Sequence, residues 1–98
     1  MSLATATESI KAKAATEDTF GSTIKFNFEE GCILLDGTGD VNKVSNEDSE
    51  SACTVNVSLE NFEKLLAGDL NPMMAFMSGK IKVDGDMSLA MKLPQFLG

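Results

Sequence analysis

The stretch that decides the fold is residues 23–35, which read TIKFNFEEGCILL. Every second residue of 24–28 is apolar, and this period of two is typical of a strand with one buried face. Residues 32–35 form an unbroken apolar run, which predicts a second strand that is covered on both faces. Because Glu30 and Gly31 suit a turn between the two runs, the stretch predicts a β-hairpin.

Outward from this hairpin, the chain divides into segments with the periodicity of strands or helices. Alternation recurs in residues 53–57 and 81–83, and residues 41–44 offer a further short strand. The predicted order is α-β-β-β-β-α-α-β-α. Early strands and late helices indicate an α+β fold, with helices packed over one face of a five-stranded, mainly antiparallel sheet. Apolar residues at helical spacing mark the four helices, over residues 3–16, 59–67, 72–78 and 87–93.

The composition limits the chain to one small domain, residues 1–98, and excludes several functions. It holds 15 Asp and Glu residues, 8 Lys, no Arg and no His, for a net charge of −7. The negative charge and the lack of arginine argue against nucleic-acid binding. Histidine is the commonest general base and metal ligand, so we expect no catalysis, no metal and no cofactor. The N-terminal residues do not resemble a signal peptide, and we expect a cytoplasmic protein.

The two cysteines and one acidic turn invite chemical interpretations that the sequence does not favour. In a reducing compartment we expect Cys32 and Cys53 to be buried free thiols, with a disulfide as the alternative. Neither has a histidine to activate it as a nucleophile. Residues 36–47 place oxygen ligands at calcium-loop spacing, but Val41 occupies the position that requires glycine. A turn between strands is the better interpretation.

Methionine is the informative residue type in the C-terminal third of the chain. Its flexible thioether side chain suits ligands or partners of variable shape. These residues can serve simply as core, yet two short helices that are apolar nearly all round carry more apolar side chains than one sheet face covers. A cavity or a partner surface would cover the remainder. The residues concerned are Met73, Met74, Met77, Met87 and Met91.

Two blocks in the C-terminal half have specific sequences. Residues 66–72 read LAGDLNP and residues 79–87 read GKIKVDGDM. Through these blocks, and across residues 59–93, the chain resembles the sterol carrier protein family, and residues 23–28 match the family's first strand more loosely. The resemblance implies a sheet and helices that enclose an apolar tunnel for a fatty acyl, acyl-CoA or sterol-like ligand. It implies binding and transfer of lipid, without chemistry and without a cofactor.

The resemblance and the apolar pattern together predict which residues line that tunnel. Sheet residues form its floor, the first of the late helices forms one wall, and the methionine-rich helices form the rest. Besides the lipid, the expected partner is a membrane contacted transiently, with Lys80, Lys82 and Lys92 as candidate contacts. The predicted lipid-binding residues are Phe26, Phe28, Ile33, Leu35, Phe62, Leu66, Met73, Phe76, Met77, Met87 and Met91.

Other functions remain open on the sequence alone. A methionine-rich surface can dock a partner's helix, which would make the chain a protein-interaction module. The chain can also serve as an accessory subunit of a lipid-metabolising enzyme. An enzyme such as a thioesterase is a further alternative, although it lacks a histidine and a carboxylate placed in an apolar site.

Overall fold

The order of helices and strands is the one predicted from the sequence. A computed structural model describes residues 2–19 and 21–91, except the side chain of Ala90. The elements are α1 (Leu3–Ala14), β1 (Thr23–Phe28), β2 (Gly31–Asp36), β3 (Lys43–Ser45), β4 (Cys53–Asn56), α2 (Leu59–Ala67), α3 (Pro72–Met77), β5 (Lys82–Gly85) and α4 (Met87–Ala90).

The strands form a five-stranded sheet in the order β3-β2-β1-β4-β5. The pairs β1–β2, β2–β3 and β4–β5 are antiparallel, whereas the central pair β1–β4 is parallel. In this register Phe26 lies between Ile33 of β2 and Val55 of β4. The predicted α+β fold with a mainly antiparallel sheet is therefore confirmed.

One face of the sheet, here called the inner face, carries the core and the helices. Successive side chains of a strand point to opposite faces, so the alternate apolar residues of each strand meet on this side. They pack in one buried cluster with residues from α1, α2, α3 and α4. The strand members are Ile24, Phe26, Phe28, Ile33, Leu35, Cys53 and Val55, and the helix members are Ala6, Ile10, Ala14, Leu59, Phe62, Leu65, Ala75 and Leu89.

The opposite face, the outer face, is partly covered by the acidic loop of residues 46–52. Lys25 of β1 donates a hydrogen bond from Nζ to Oδ1 of Asp48 over 2.8 Å. The thiol of Cys32 donates to the main-chain carbonyls of residues 46 and 47, at 3.7 and 3.6 Å. This cover explains why β2 is buried on both faces, as its apolar run predicts.

The boundaries of β3 differ from the prediction. The sequence predicts a strand over residues 41–44, but the strand is Lys43–Ser45. Asn42 instead caps the C-terminal end of α1. Its side-chain amide donates hydrogen bonds to the carbonyls of residues 14, 17 and 18 at 3.1 to 3.3 Å. Val41 beside it points into solvent, with 63% of its surface exposed.

The last two elements also differ at their ends from the predicted ranges. β5 begins at Lys82 rather than at residue 81, because the N–H of Ile81 donates to the carbonyl of Ala75 and belongs to the turn after α3. The final helix is predicted over residues 87–93, but α4 ends at Ala90. Residues 92 and 93 of that prediction lie outside the described residues.

Candidate functional site

The predicted floor residues share the inner face of the sheet. Phe26 is paired with Ile33 across the β1–β2 ladder, and Leu35 is paired with Ile24. Phe28 follows two residues after Phe26 and therefore points to the same face. All four predicted floor residues are buried in the core cluster. The structure thus brings this part of the predicted site together.

Three aromatic rings join the floor to α2. The ring centroid of Phe62 lies 5.3 Å from that of Phe26 and 5.1 Å from that of Phe28, in tilted and edge-on arrangements. Such geometry suits the charge distribution of aromatic rings. Leu66, one turn further along α2, packs against the same cluster and is partly buried. Because the rings fill the space between β1 and α2, a lipid chain must lie beside them or displace them.

The position of Phe62 follows from the way α2 begins and ends. Ser58 is the N-cap, and its hydroxyl accepts a hydrogen bond from the N–H of Asn61 over 3.1 Å. Gly68 ends the helix with a φ of 81°, a conformation that glycine adopts without strain. Between these caps the helix turns Leu59, Phe62 and Leu65 toward the core. The predicted amphipathic helix is therefore correct.

Helix α3 exposes the three predicted wall residues that it carries. Met73, Phe76 and Met77 have exposed fractions of 44%, 39% and 78%. Ala75 is the buried residue of this six-residue helix, which begins after the N-cap Asn71. A helix that is apolar all round can turn only one side to the sheet, and its other side chains meet solvent.

Helix α4, like α3, has both buried and exposed apolar side chains. Met87 and Met91 are exposed by 46% and 63%, whereas Leu89 between them is buried. Asp86 caps the helix and accepts a hydrogen bond from the N–H of Ser88. The five predicted residues on α3 and α4 therefore lie on the surface. Their contact with lipid, and the tunnel that the resemblance implies, remain predictions.

Residues that the sequence analysis did not assign to the site lie beside the predicted floor. Cys53 and Val55 of β4 are buried in the same cluster, as are Ile81 and Leu89. The alternation within residues 53–57 and 81–83 marks most of these side chains as inward. No local sequence pattern shows that β4 runs parallel to β1. This pairing places Val55 directly beside Phe26.

A groove of about 580 Å³ opens at one end of the sheet. Phe28, Val57 and Leu59 supply its apolar side chains. Among the described residues, no carboxylate lies within ion-pair distance of either lysine in its lining. The other lining residues are Asn27, Glu29, Glu30, Asn56, Ser58, Glu60, Gly79, Lys80 and Lys82.

The two cysteines lie in the packed interior of the described residues. Cys32 and Cys53 are buried free thiols, as the sequence predicts. Burial raises the pKa of both, so each remains a thiol rather than a nucleophilic thiolate at neutral pH. Within residues 2–19 and 21–91, no cluster of three His, Cys, Asp or Glu side chains is placed to hold a metal ion. No helix in the same ranges is long and apolar enough to span a bilayer.

Comparison with known sequences gives matches over most of the chain. Over 72 residues, 71% of this chain, it is 42% identical to hydroxysteroid dehydrogenase-like protein 2 of Xenopus laevis. Over 60 residues, 61% of this chain, it is 41% identical to sterol carrier protein 2 of Homo sapiens. The chain spans only 17% and 11% of the lengths of these two relatives.

Solved structures share the fold of this chain. Palmitated SCP2L2 from Aedes aegypti has a TM-score of 0.74 at 26% identity, and the match covers 99% of this chain and 95% of that one. The apo form of sterol carrier protein 2 from Yarrowia lipolytica has a TM-score of 0.70 at 25% identity, over 94% of this chain and 73% of that one. Residues 2–98 match the SCP-2 sterol transfer family as a whole. The chain therefore belongs to the SCP-2 sterol transfer family.

Proposed function

We propose that this chain binds a fatty acyl, acyl-CoA or sterol-like ligand against the inner face of its sheet, beneath α3 and α4, and passes it on unchanged. Membership of the family gives the chain a lipid-binding or sterol-transfer role; the proposal adds the ligand class and the place. The observation that carries it is the exposure of Met73, Phe76, Met77, Met87 and Met91 next to a complete apolar core. Large apolar side chains grouped on a surface are typical of binding sites.

The weak attachment of α3 supports an opening at this place. Its contribution to the buried core is Ala75, and burial of one alanine stabilises a helix only slightly. A helix of six residues is not stable on its own in water. Little free energy is therefore needed to move α3 away from the sheet. That movement uncovers Ala75 and Ile81 and gives a lipid chain access to the inner face.

Burial of an acyl chain supplies the free energy for binding. Each methylene group removed from water contributes about 0.8 kcal/mol. Met73 and Phe76 then exchange contact with water for contact with the ligand, and methionine adapts to chains of different shape. The palmitated state of the Aedes aegypti relative, 26% identical over nearly the whole chain, supports an acyl ligand.

A cytoplasmic location belongs to the same proposal. Cys32 and Cys53 are both free, which is usual in a reducing compartment. Burial and raised pKa values protect the two thiols from modification there. Fractionation of cells that express the protein with a small epitope tag, compared with a secreted marker, tests this part of the proposal.

Titration with a fluorescent fatty acid tests the ligand class. The chain has no Trp and no Tyr, so protein emission does not overlap with that of the probe. We expect saturable binding of one probe per chain, displaced by palmitate. Phe76→Ala should weaken binding about ten-fold, which corresponds to the loss of most of one aromatic contact. The urea midpoint should barely change, because Phe76 is already exposed.

Val41→Ala is the matched control, since Val41 is an exposed apolar residue on the loop before β3, at the opposite edge of the sheet from β5. It should leave probe affinity unchanged. Absence of saturable binding by the unmodified chain would contradict the proposed ligand class. Equal affinities for the Phe76→Ala variant and the unmodified chain would contradict the proposed place.

A further inference from the structure

We infer that residues 47–50, here called the strap, open from the outer face of the sheet as a local unit and thereby expose the thiol of Cys32. The strap is the middle of the acidic loop of residues 46–52. In its closed position it keeps Cys32 unreactive, whereas the fold as a whole keeps Cys53 unreactive. The strap lies on the face opposite the proposed ligand site, so the inference does not rest on the proposed function.

The burial of Cys32 differs in origin from that of Cys53. Cys53 is fully buried and belongs to the core cluster on the inner face. Cys32 is paired with Asn27 of β1, and its side chain points to the outer face. It is 6% exposed, although it does not belong to the core cluster of the described residues. Its Sγ lies 3.6 Å from the carbonyl oxygen of Glu47, so the strap supplies part of its cover.

The loop is fixed to neighbouring elements on both sides of the strap. Before the strap, the side-chain amide of Asn46 donates to the carbonyl of Cys32 and to the hydroxyl of Thr7, both over 2.9 Å. After the strap, the N–H of Ala52 donates to the hydroxyl of Thr23 over 2.9 Å. These bonds do not involve the strap itself. The strap can therefore open between two fixed ends while the strands remain paired.

Lys25 of β1 holds the middle of the strap against the sheet. Its Nζ donates to Oδ1 of Asp48 over 2.8 Å and to the carbonyl of Ser49 over 3.1 Å. Among the described residues, no other ion pair joins the strap to the rest of the chain. The side chain of Asp48 is 82% exposed. An ion pair with so exposed a partner stabilises the closed position only slightly, and salt weakens it further.

The charge of the strap itself favours the open position. Glu47, Asp48 and Glu50 place three carboxylates within four residues, and the chain as a whole has a net charge of −7. Like charges at this spacing repel each other, and the repulsion falls when the strap moves into solvent. Opening breaks the bonds to Lys25 but leaves the core cluster intact. We therefore expect it to require far less free energy than global unfolding.

Opening also changes the chemistry of Cys32. In the closed position, burial and the carboxylate of Asp48 raise the pKa of the thiol, whereas Lys25 lowers it. The open strap removes the first two effects, while Lys25 stays on the same face of the sheet as the thiol. The thiol then forms its reactive thiolate more readily. One movement thus uncovers and activates Cys32 and leaves Cys53 unchanged.

Alkylation of the folded, unmodified chain with iodoacetamide, measured at each cysteine by mass spectrometry, tests the inference. Cys53 is the internal reference, since its labelling requires the core to open. We expect Cys32 to react at least about a hundred-fold faster than Cys53, because local opening precedes global unfolding. Raising the salt concentration from about 20 to about 500 mM should increase the Cys32 rate about three-fold, because salt screens the ion pair between Lys25 and Asp48.

Two variants of the strap separate the ion pair from the charge of the loop. Asp48→Asn removes the ionic partner of Lys25 and should raise the Cys32 rate about three- to ten-fold at low salt. The remaining rate should no longer depend on salt. Glu50→Gln is the matched control, because it removes the same charge from the strap and leaves the ion pair in place. It should not raise the Cys32 rate, and neither variant should change the rate at Cys53.

Three outcomes would overturn the inference. Equal labelling rates at Cys32 and Cys53 in the unmodified chain would mean that only global unfolding exposes either thiol. A Cys32 rate equal to that of the urea-unfolded chain would mean that the strap does not cover the thiol. A rate for Asp48→Asn no higher than that for Glu50→Gln would mean that the ion pair does not hold the strap closed.

Discussion

The sheet with α2, and the pair α3 and α4, are both rich in apolar residues but differ in exposure. Phe26, Phe28 and Phe62 are sealed in the core, whereas Phe76 and the methionines of α3 and α4 meet solvent. α2 has a polar side and an apolar side, so it buries what it carries. α3 is apolar all round and buries one alanine. Apolar side chains therefore stabilise the fold in the first region. In the second region they remain available for binding.

The largest difference between the two regions is expected for matched phenylalanine substitutions. Phe62→Ala should lower the free energy of unfolding by about 3–5 kcal/mol, because it leaves a cavity between β1 and α2. Phe76→Ala should lower it by less than about 1 kcal/mol, since the ring is partly in solvent already. Urea unfolding of the two variants measures both values. Similar losses would contradict the division into a sealed region and an open one.

Two glycines, one after α3 and one at the end of β5, separate backbone strain from steric contact. Gly85 has a φ of 99°, and a Cβ there would collide with the main-chain carbonyl of Ala52. Gly79 has a φ of 80° and open space around it. Gly79→Ala should therefore cost about 1–2 kcal/mol through conformation alone, and Gly85→Ala should cost more, about 3 kcal/mol or above.

Denaturant midpoints of the Gly79 and Gly85 variants give this comparison directly. A Gly79 variant that unfolds as readily as the Gly85 variant would show that the turn after α3 is as tightly packed as the sheet edge. That outcome would contradict the weak attachment of α3 to the sheet. The matching substitution at Gly68, which also has a positive φ and open surroundings, is the control for conformational cost on α2.

The smallest stability effect is expected for a charge placed on α4. Met91→Asp should change the free energy of unfolding by less than about 0.5 kcal/mol, because Met91 is exposed and its replacement can remain hydrated. Affinity for the fluorescent fatty acid should nevertheless fall about ten-fold or more, since an apolar ligand would have to desolvate the carboxylate. A large loss of stability would instead identify Met91 as part of the core.

The sequence predicts the elements well because each has a local signal. Ser58 and Gly68 bound α2 as expected, and the alternation of β1 marks its inward residues. The deviations arise where distant contacts intervene, as when Asn42 caps α1 and shortens β3. The parallel pairing of β1 with β4 is likewise a distant contact.

The residues of the predicted site also divide into those with a local sequence signal and those whose orientation depends on distant contacts. Alternation identifies Phe26 and Ile33 as inward-facing, and the structure places them side by side. α3 offers no such signal, because a helix with apolar side chains all round does not indicate which side turns toward the sheet. The side that faces inward is the one with Ala75, the smallest of its apolar residues. Only the packing of α3 against its neighbours decides this.

The two edge strands of the sheet limit aggregation through strand pairing. β3 and β5 have three and four residues, and each begins with a lysine, Lys43 or Lys82. Short edge strands with charged residues offer another chain few free main-chain groups for strand pairing. In the described residues, exposed apolar side chains are instead concentrated on helices, where contacts with other molecules form and break independently. The protein can thus expose methionines for reversible contact without offering a template for fibrils.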